Sequence, residues 1–471
     1  MNDVVLNRLP ARELAHLVRA KRVSPIEIVN AHLAAIERVN PQVNAIVTLV
    51  AEQALAIARS AESAVTRGEA LGALHGVPIG IKDTTPTAGI RTTWGSPLLA
   101  DHVPQEDAEI VARLKRAGAI VIGKTNTPEF AAGANTVNRV FGATGNPWAP
   151  RLTAGGSTGG GAAALAAAMI PLAEGTDFGG SLRVPAALCG VVGLRTTAGL
   201  VPKFPAQLPW HDMSVAGPMA RDAEDCALLL DAMIGLSAKS PLSCAPPWES
   251  AQAVVRATED LRGLRVAYVA DIAGIGVDTE IEGICRGAAF ALAAHGASVE
   301  EATLDLADGR DSFMVLRGAA MVGNHLERLD KLDQLGANLA GNIKFGMDLQ
   351  ALDLARAEHK RAEIWHRFRT FFERYDLMLT ACSPVLPFPV ENNYPTEING
   401  RRLENYVDWI GPTFLVSLAA LPGVSVPAGL TRSRLPVGLQ IVGPRYSEPR
   451  ILACAKMVER DHPVGWAPLA A

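Results

Sequence analysis

The spacing of apolar and polar positions changes character along the chain. Up to about residue 68 it is helical. Ser24-Pro25-Ile26-Glu27 is a capping box with proline at the first helical position, and Ile26, Ile28, Val29, Leu33, Ile36 and Val39 follow at helical spacing. Asn40-Pro41 predicts the stop, and Val47 to Val65 predicts a second, Ala-rich helix closing near Gly68. Residues 1–68 are therefore expected to form an N-terminal helical hairpin. From Gly72 onward, short apolar runs alternate with helical stretches. Strands are predicted at Ala119–Ile122, Arg265–Val269, Leu377–Ala381, Val424–Pro427 and Val437–Val442. Helices are predicted at Asp107–Ala117, Asp222–Ile234, Ile281–Ala294, Leu349–Phe372 and Pro449–Arg460. This alternation predicts an α/β layered fold with a mostly parallel or mixed sheet. Ser237–Ser250, rich in Pro and Ser, is the best linker candidate, but strand signals on both sides favour one continuous sheet over two domains.

Composition removes several function classes. With 49% apolar and 20% charged residues over 471 positions, a large core is affordable and disorder is not expected. Lys plus Arg is 44 against 48 Asp plus Glu, a net charge of −4, which gives no case for nucleic-acid binding; 5% aromatic content argues against stacking platforms for single strands. Met1 to Ala20 lacks the basic-then-apolar pattern of a signal peptide. The longest small-residue apolar run, Gly159 to Ala173, is short for a membrane span and contains Pro171. The six cysteines have no CxxC or CxxxC spacing, which argues against a disulfide scaffold or a zinc site and suits a cytoplasmic protein. No HExxH occurs, and His75, before a turn, reads as a structural histidine.

Two motif matches mislead. Gly118 to Thr125 fits the phosphate-binding P-loop pattern literally, but its middle positions are Ala-Ile-Val-Ile, a strand rather than a loop, and Pro128 falls where the following helix should be under way. Gly155-Gly156-Ser157-Thr158-Gly159 fits the nucleophile elbow of α/β-hydrolases, but Asn146-Pro147-Trp148-Ala149-Pro150-Arg151 before it cannot be a central strand. His462 is the only histidine left downstream of His366 as a partner.

The densest unusual chemistry lies between Gly155 and Pro185. Two glycine-rich turns, Gly155 to Gly161 and Gly175 to Pro185, each present a serine, Ser157 and Ser181. Glycines let the backbone bend and aim its amides at a ligand. A helix of about 12 residues rises ~18 Å, and an extended return of about six residues covers roughly 20 Å, so the two serines can face each other. A third element, Gly76 to Asp83, ends an apolar strand on Lys82. Lysine is rarely fully buried. Burial that lowers it from ~10.4 to ~7–8 costs about 4 kcal/mol and makes a neutral amine available as a base. Taken alone, Lys82 reads rather as a lysine snorkelling to solvent or paired with Asp83.

Together these residues resemble the amidase signature family. The resemblance rests on Lys82, the Gly155-Gly156-Ser157-Thr158 turn, and Gly175-Thr-Asp-Phe-Gly-Gly-Ser-Leu-Arg-Val-Pro185 running on to Arg195. It extends to Gly123-Lys-Thr-Asn-Thr-Pro-Glu-Phe130, Gly217-Pro-Met-Ala-Arg221 and Pro436 to Pro444. It implies a single large domain over residues 1–471, with a central mixed β-sheet flanked by helices on both faces. Within it, 72–235 would be the signature core, 236–375 a variable insertion and 376–471 the C-terminal part of the same sheet.

The resemblance also implies a Ser–cisSer–Lys triad. Ser181 falls on the nucleophile, Ser157 on the bridging serine after a cis peptide, and Lys82 on the base. Phe178, Gly179, Gly180 and Ser181 fall on the oxyanion-hole backbone, and Asp177 and Arg183 on residues supporting that loop. Thr158 stands where the family commonly has a second serine, and keeps the hydroxyl. The implied reaction is hydrolysis of a small-molecule carboxylic amide through an acyl-enzyme, with no metal or organic cofactor, no nucleic acid and no membrane. Members are often dimeric, so a homodimer is a further expectation. The substrate pocket is expected at Phe130, Gly133, Cys189 and Trp409, with Trp210-His211 at its entrance or on a surface loop.

Three functions remain open: a free-standing amidase, ureide hydrolases included; the glutaminase component of a tRNA-dependent amidotransferase; and an esterase using Ser157. The glutaminase component is expected to hold the glutamine ammonium with an aspartate. Gapless matching through Ser417-Leu-Ala-Ala-Leu-Pro422 puts Ile410 there. An apolar side chain cannot pair with an ammonium group.

Overall fold

The computed structural model describes residues 5–470. Their frame is one mixed sheet of 11 strands. In chain order these are β1 (Ile46–Leu49), β2 (Pro78–Lys82), β3 (Ile120–Thr125), β4 (Leu172–Asp177), β5 (Val192–Arg195), β6 (Val215–Ala220), β7 (Arg265–Tyr268), β8 (Ser298–Glu301), β9 (Leu377–Ala381), β10 (Gly423–Leu430) and β11 (Pro436–Val442). The spatial order is β1-β3-β2-β4-β6-β5-β10-β11-β9-β7-β8. β2 runs parallel to both β3 and β4, β9 and β7 form a second parallel group with β8, and the remaining pairs are antiparallel. β2, β3, β6, β9 and β11 are buried along their whole length, as strands covered on both faces by helices must be. β6 and β7, on either side of Ser237–Ser250, belong to the same sheet.

The N-terminal expectation needs correction. Residues 46–49 are not the start of a helix but the edge strand β1, paired antiparallel with β3, and the second helix runs from Ala51 to Arg67. Ile46-Val47-Thr48 is β-branched and suits a pleated surface better than a helix. Nor does Asn40-Pro41 end the first helix, which spans Pro25–Val43. Proline forfeits one hydrogen bond there, and only the last turn follows. Asn44 then turns left-handed, and the Asn40 side chain accepts from the amides of Ala45 and Ile46 at 2.9 and 2.8 Å.

The helix after Ser157 is also shorter than expected, Gly159–Ala166, and is wholly buried. Its small residues are a packing requirement. A Cβ on Gly160 would sit 2.2 Å from the Asn126 amide nitrogen. The P-loop look-alike is the strand β3. The strand ahead of the elbow look-alike, Ala149–Thr153, pairs with Gly145–Asn146 in a separate ribbon rather than in the sheet. Residues 236–375 contribute β7 and β8 and the helices Arg310–Asn324, Ala337–Met347 and Ala351–Arg374. No helix among the described residues is long and apolar enough to cross a membrane.

Candidate active site

Lys82 and Asp177 close the parallel strands β2 and β4 at their carboxyl ends, where open α/β sheets place ligands. Lys82 is fully buried. Its Nζ lies 2.7 Å from Ser157 Oγ and 3.0 Å from the hydroxyls of Thr158 and Thr176. Among the described residues no carboxylate forms an ion pair with it. Burial therefore dominates and brings its titration down to about 7, against the opposing pull of Glu174 and then Asp177. An uncharged amine hydrogen-bonded to a serine is arranged to accept that serine's proton.

Ser157 follows a cis peptide bond from Gly156. The turn is pinned from outside: the Thr136 hydroxyl donates to Gly155 O at 2.7 Å and accepts from the Gly159 amide at 3.2 Å. The second turn is tied to the first through the Thr158 amide, which donates to Ser181 O at 3.1 Å. Ser157 and Ser181 line one cavity of about 750 Å³.

Asp177 organises the second turn. Its carboxylate accepts from the amides of Gly180 and Leu182 at 3.1 and 3.2 Å, from Arg183 at 2.8 and 3.1 Å, and from Arg195 at 3.2 Å. Burial alone would raise this carboxyl, but Arg183 and then Arg195 hold it well below the usual carboxylate range. Arg183 in turn donates to Thr413 O, Gln440 Oε1 and Ser417 Oγ at 2.9, 2.6 and 2.8 Å, locking the turn to the C-terminal part of the sheet. Gly180 has φ +129, and a Cβ there would meet Thr413 Oγ1 at 2.2 Å. Its amide is occupied by Asp177. Those of Phe178, Gly179 and Ser181 find no acceptor among the described residues.

Phe130 and Phe178 stand on the cavity wall, and so does His211 from the entrance candidate; Trp210 is 71% exposed. Gly133, Cys189 and Trp409 are not on that wall. Gly133 packs against Pro128, Cys189 is buried with its thiol on Ala154 O, and Trp409 lies in the core edge-on to Phe388. The cavity is also lined by residues that no sequence motif marks: Trp94, Phe204 and, from the poorly recognised stretch, Met321, His325 and Arg328. Phe178 meets His211, and Phe130 meets His325, in edge-to-face pairs at 5.0 and 4.8 Å. Burial, helped by Lys203 and Arg328 respectively, pushes both imidazoles down to about 4, so both are uncharged at neutral pH. Ile410 reaches the second glycine turn, its Cδ1 3.3 Å from where a Cβ on Gly179 would lie. His75 is structural, as expected: its Nε2 lies 3.0 Å from Ala61 O.

Thr176, Glu174 and Lys124 join the site without having stood out as candidates in the sequence. Glu174 and Lys124 carry the signal that singles out Lys82, a charge inside an apolar strand, but in sequence Lys124 draws notice only through the P-loop match and the Gly123–Phe130 stretch of the resemblance.

The Amidase family description matches residues 27–452. The chain belongs to the amidase family. An acylamidase from Rhodococcus erythropolis is 36% identical over 99% of this chain and 98% of its own length. A glutamyl-tRNA(Gln) amidotransferase component from Alkaliphilus metalliredigens (strain QYMF) is 35% identical over 94% of both chains. Among solved structures, a bacterial aryl acylamidase of the amidase signature enzymes superposes with TM-score 0.89 at 26% identity, over 98% of this chain and 97% of that one. The protein is thus an amide hydrolase acting on carbon–nitrogen bonds, built on the amidase-signature fold.

Proposed function

We propose that the protein is a free-standing acylamidase for uncharged, bulky amides, working through Ser181, Ser157 and Lys82. The observation that carries this reading is the 2.7 Å contact between a buried Lys82 Nζ, held by hydroxyls alone, and Ser157 Oγ. Neutral Lys82 takes a proton from Ser157, which takes one from Ser181 as its Oγ attacks the amide carbonyl. The amides of Phe178, Gly179 and Ser181 receive the developing oxyanion, each worth about 3 kcal/mol in such sites. Gly180 supplies the turn that points them inward, and Asp177 and Arg183 hold it rigid. Thr158 and Thr176 orient the amine. The relay reverses to protonate the departing amine, and water releases the acid.

The substrate follows from the walls. Trp94, Phe130, Phe178 and Phe204 with two neutral imidazoles favour an aromatic or large apolar group, and the cavity is far larger than a primary acetamide needs. The amidotransferase reading loses support because Ile410, beside the oxyanion turn, offers nothing to an α-ammonium. A screen of purified protein against acyl anilides, indoleacetamide, glutamine and biuret tests the choice, with labelling by a fluorophosphonate as the test of mechanism. Ser181→Ala is expected to lose turnover and labelling together, and Lys82→Ala most of the rate. Labelling retained in Ser181→Ala would move the nucleophile to Ser157 and end the proposal.

A further inference from the structure

The mechanism leaves three buried ionisable groups beside the base without a task. Glu174 and Lys124 are fully buried, and both flank Ile81 in register, Glu174 on β4 and Lys124 on β3. Asp83 follows Lys82 in the chain. Glu174 accepts from the Lys82 backbone amide at 3.2 Å and from the Thr85 hydroxyl at 3.0 Å. Lys124 Nζ donates to the carbonyl of the same Thr85, and to Thr87 Oγ1 at 2.9 Å. Thr85 thus joins the carboxylate of one strand to the ammonium of the other, next to Lys82. Asp83 is engaged elsewhere, accepting from the Thr93 hydroxyl at 2.5 Å.

We propose that Glu174 and Lys124 are positioning residues that set the protonation of Lys82: Glu174 draws the base toward ammonium, and Lys124 sustains that pull by keeping Glu174 ionised. This rests on the reading of Lys82 as the base. A buried carboxylate near a lysine favours the charged, catalytically idle form. A second lysine, sharing Thr85 with that carboxylate, keeps it ionised against burial, and the burial of Lys82 itself outweighs the resulting pull. The groups facing Lys82 are few. β4 presents Glu174 and Asp177, the latter committed to Arg183 and Arg195, while Lys124 on β3 lies in register with Ile81 and reaches the base through Glu174. Lys124 itself faces Asp83, Glu174, Asp107 and Lys115. The buried helix Gly159–Ala166 carries only Gly, Ala and Leu. Among the carboxylates, Glu174 makes the largest contribution holding Lys82 up, and Lys124 the largest holding Glu174 down against burial.

The test is the pH dependence of inactivation by a fluorophosphonate, which needs no knowledge of the natural substrate. In the unaltered protein the rate constant should rise with pH through a midpoint near 7. Glu174→Gln is close to isosteric: its amide can donate to Thr85 Oγ1 and its carbonyl accept from Lys82 N. It should move the midpoint down by about 1 pH unit, so that at pH 6 labelling reaches a several-fold larger fraction of its plateau. Lys124→Met should move it the same way, because Glu174 then takes up a proton, and the double variant should move it no further than Glu174→Gln alone. A midpoint that either single variant leaves unmoved or raises overturns the proposal. If Lys124→Met does not fold, Glu174→Gln alone decides, with Lys124→Arg expected to leave the midpoint in place. A flat profile in the unaltered protein, or one unchanged by Lys82→Ala, would instead reject Lys82 as the base.

Discussion

At the scale of single residues, function depends on how far burial overrides ordinary chemistry. Lys82 can serve as a base only when neutral, and burial brings its titration to about 7. For an uncharged anilide, kcat/KM should therefore fall as pH drops below about 7 and level off above it, and Lys82→Ala should erase that limb; the pH–rate profile checks this. Asp177 is the converse case, a buried charge kept by its partners. Arg183→Met would leave the carboxylate with Arg195, two amides and the Ser417 hydroxyl. Breaking such a buried pair typically costs about 3–5 kcal/mol, read by urea unfolding, and should also slow fluorophosphonate labelling because the oxyanion turn is no longer fixed. Of these residues, Lys82, Ser157, Ser181, Asp177 and Arg183 are legible as a motif. Thr176 lies inside that motif and Glu174 just before it, but neither is legible as a neighbour of Lys82, because a threonine or a glutamate in sequence does not announce which side chain will lie across from it.

At the scale of elements, local rules work where an element satisfies its own needs. Ser24 caps the helix Pro25–Val43, accepting from the Ile26 amide at 3.0 Å while Glu27 accepts from the Ser24 amide at 2.8 Å. Ser24→Ala should cost about 1 kcal/mol in denaturant melts and leave kcat unchanged, since the cap is remote from the cavity. Local rules fail at residues 46–49 because pairing with β3 is a tertiary gain invisible in a window of the chain. They also overestimate the helix after Ser157: Ala-rich periodicity continues past Ala166, but the chain must turn back to enter β4.

At the scale of the whole molecule, sheet order brings residues far apart in sequence to one cavity. β2, β4 and the glycine turns supply the candidate reacting groups, and residues 321–328 supply a wall. If the apolar surroundings of Ile410 select the substrate, the purified chain should hydrolyse acyl anilides with no partner chain added and leave glutamine untouched; ammonia release from glutamine alone, or only on adding a partner chain, would count against this. The stretch 236–375 shows why the pocket is not readable in sequence. Its helices match no motif, yet they decide what the cavity admits.

The sequence by itself determined the family, the α/β class and the triad candidates, because catalysis and tight turns demand particular residues at fixed separations. The tertiary structure alone decided the cavity walls, the edge strand β1, and the burial that lowers the titration of Lys82. Protonation and specificity depend on what lies within a few ångströms in space, and chain packing, not order along the chain, sets that.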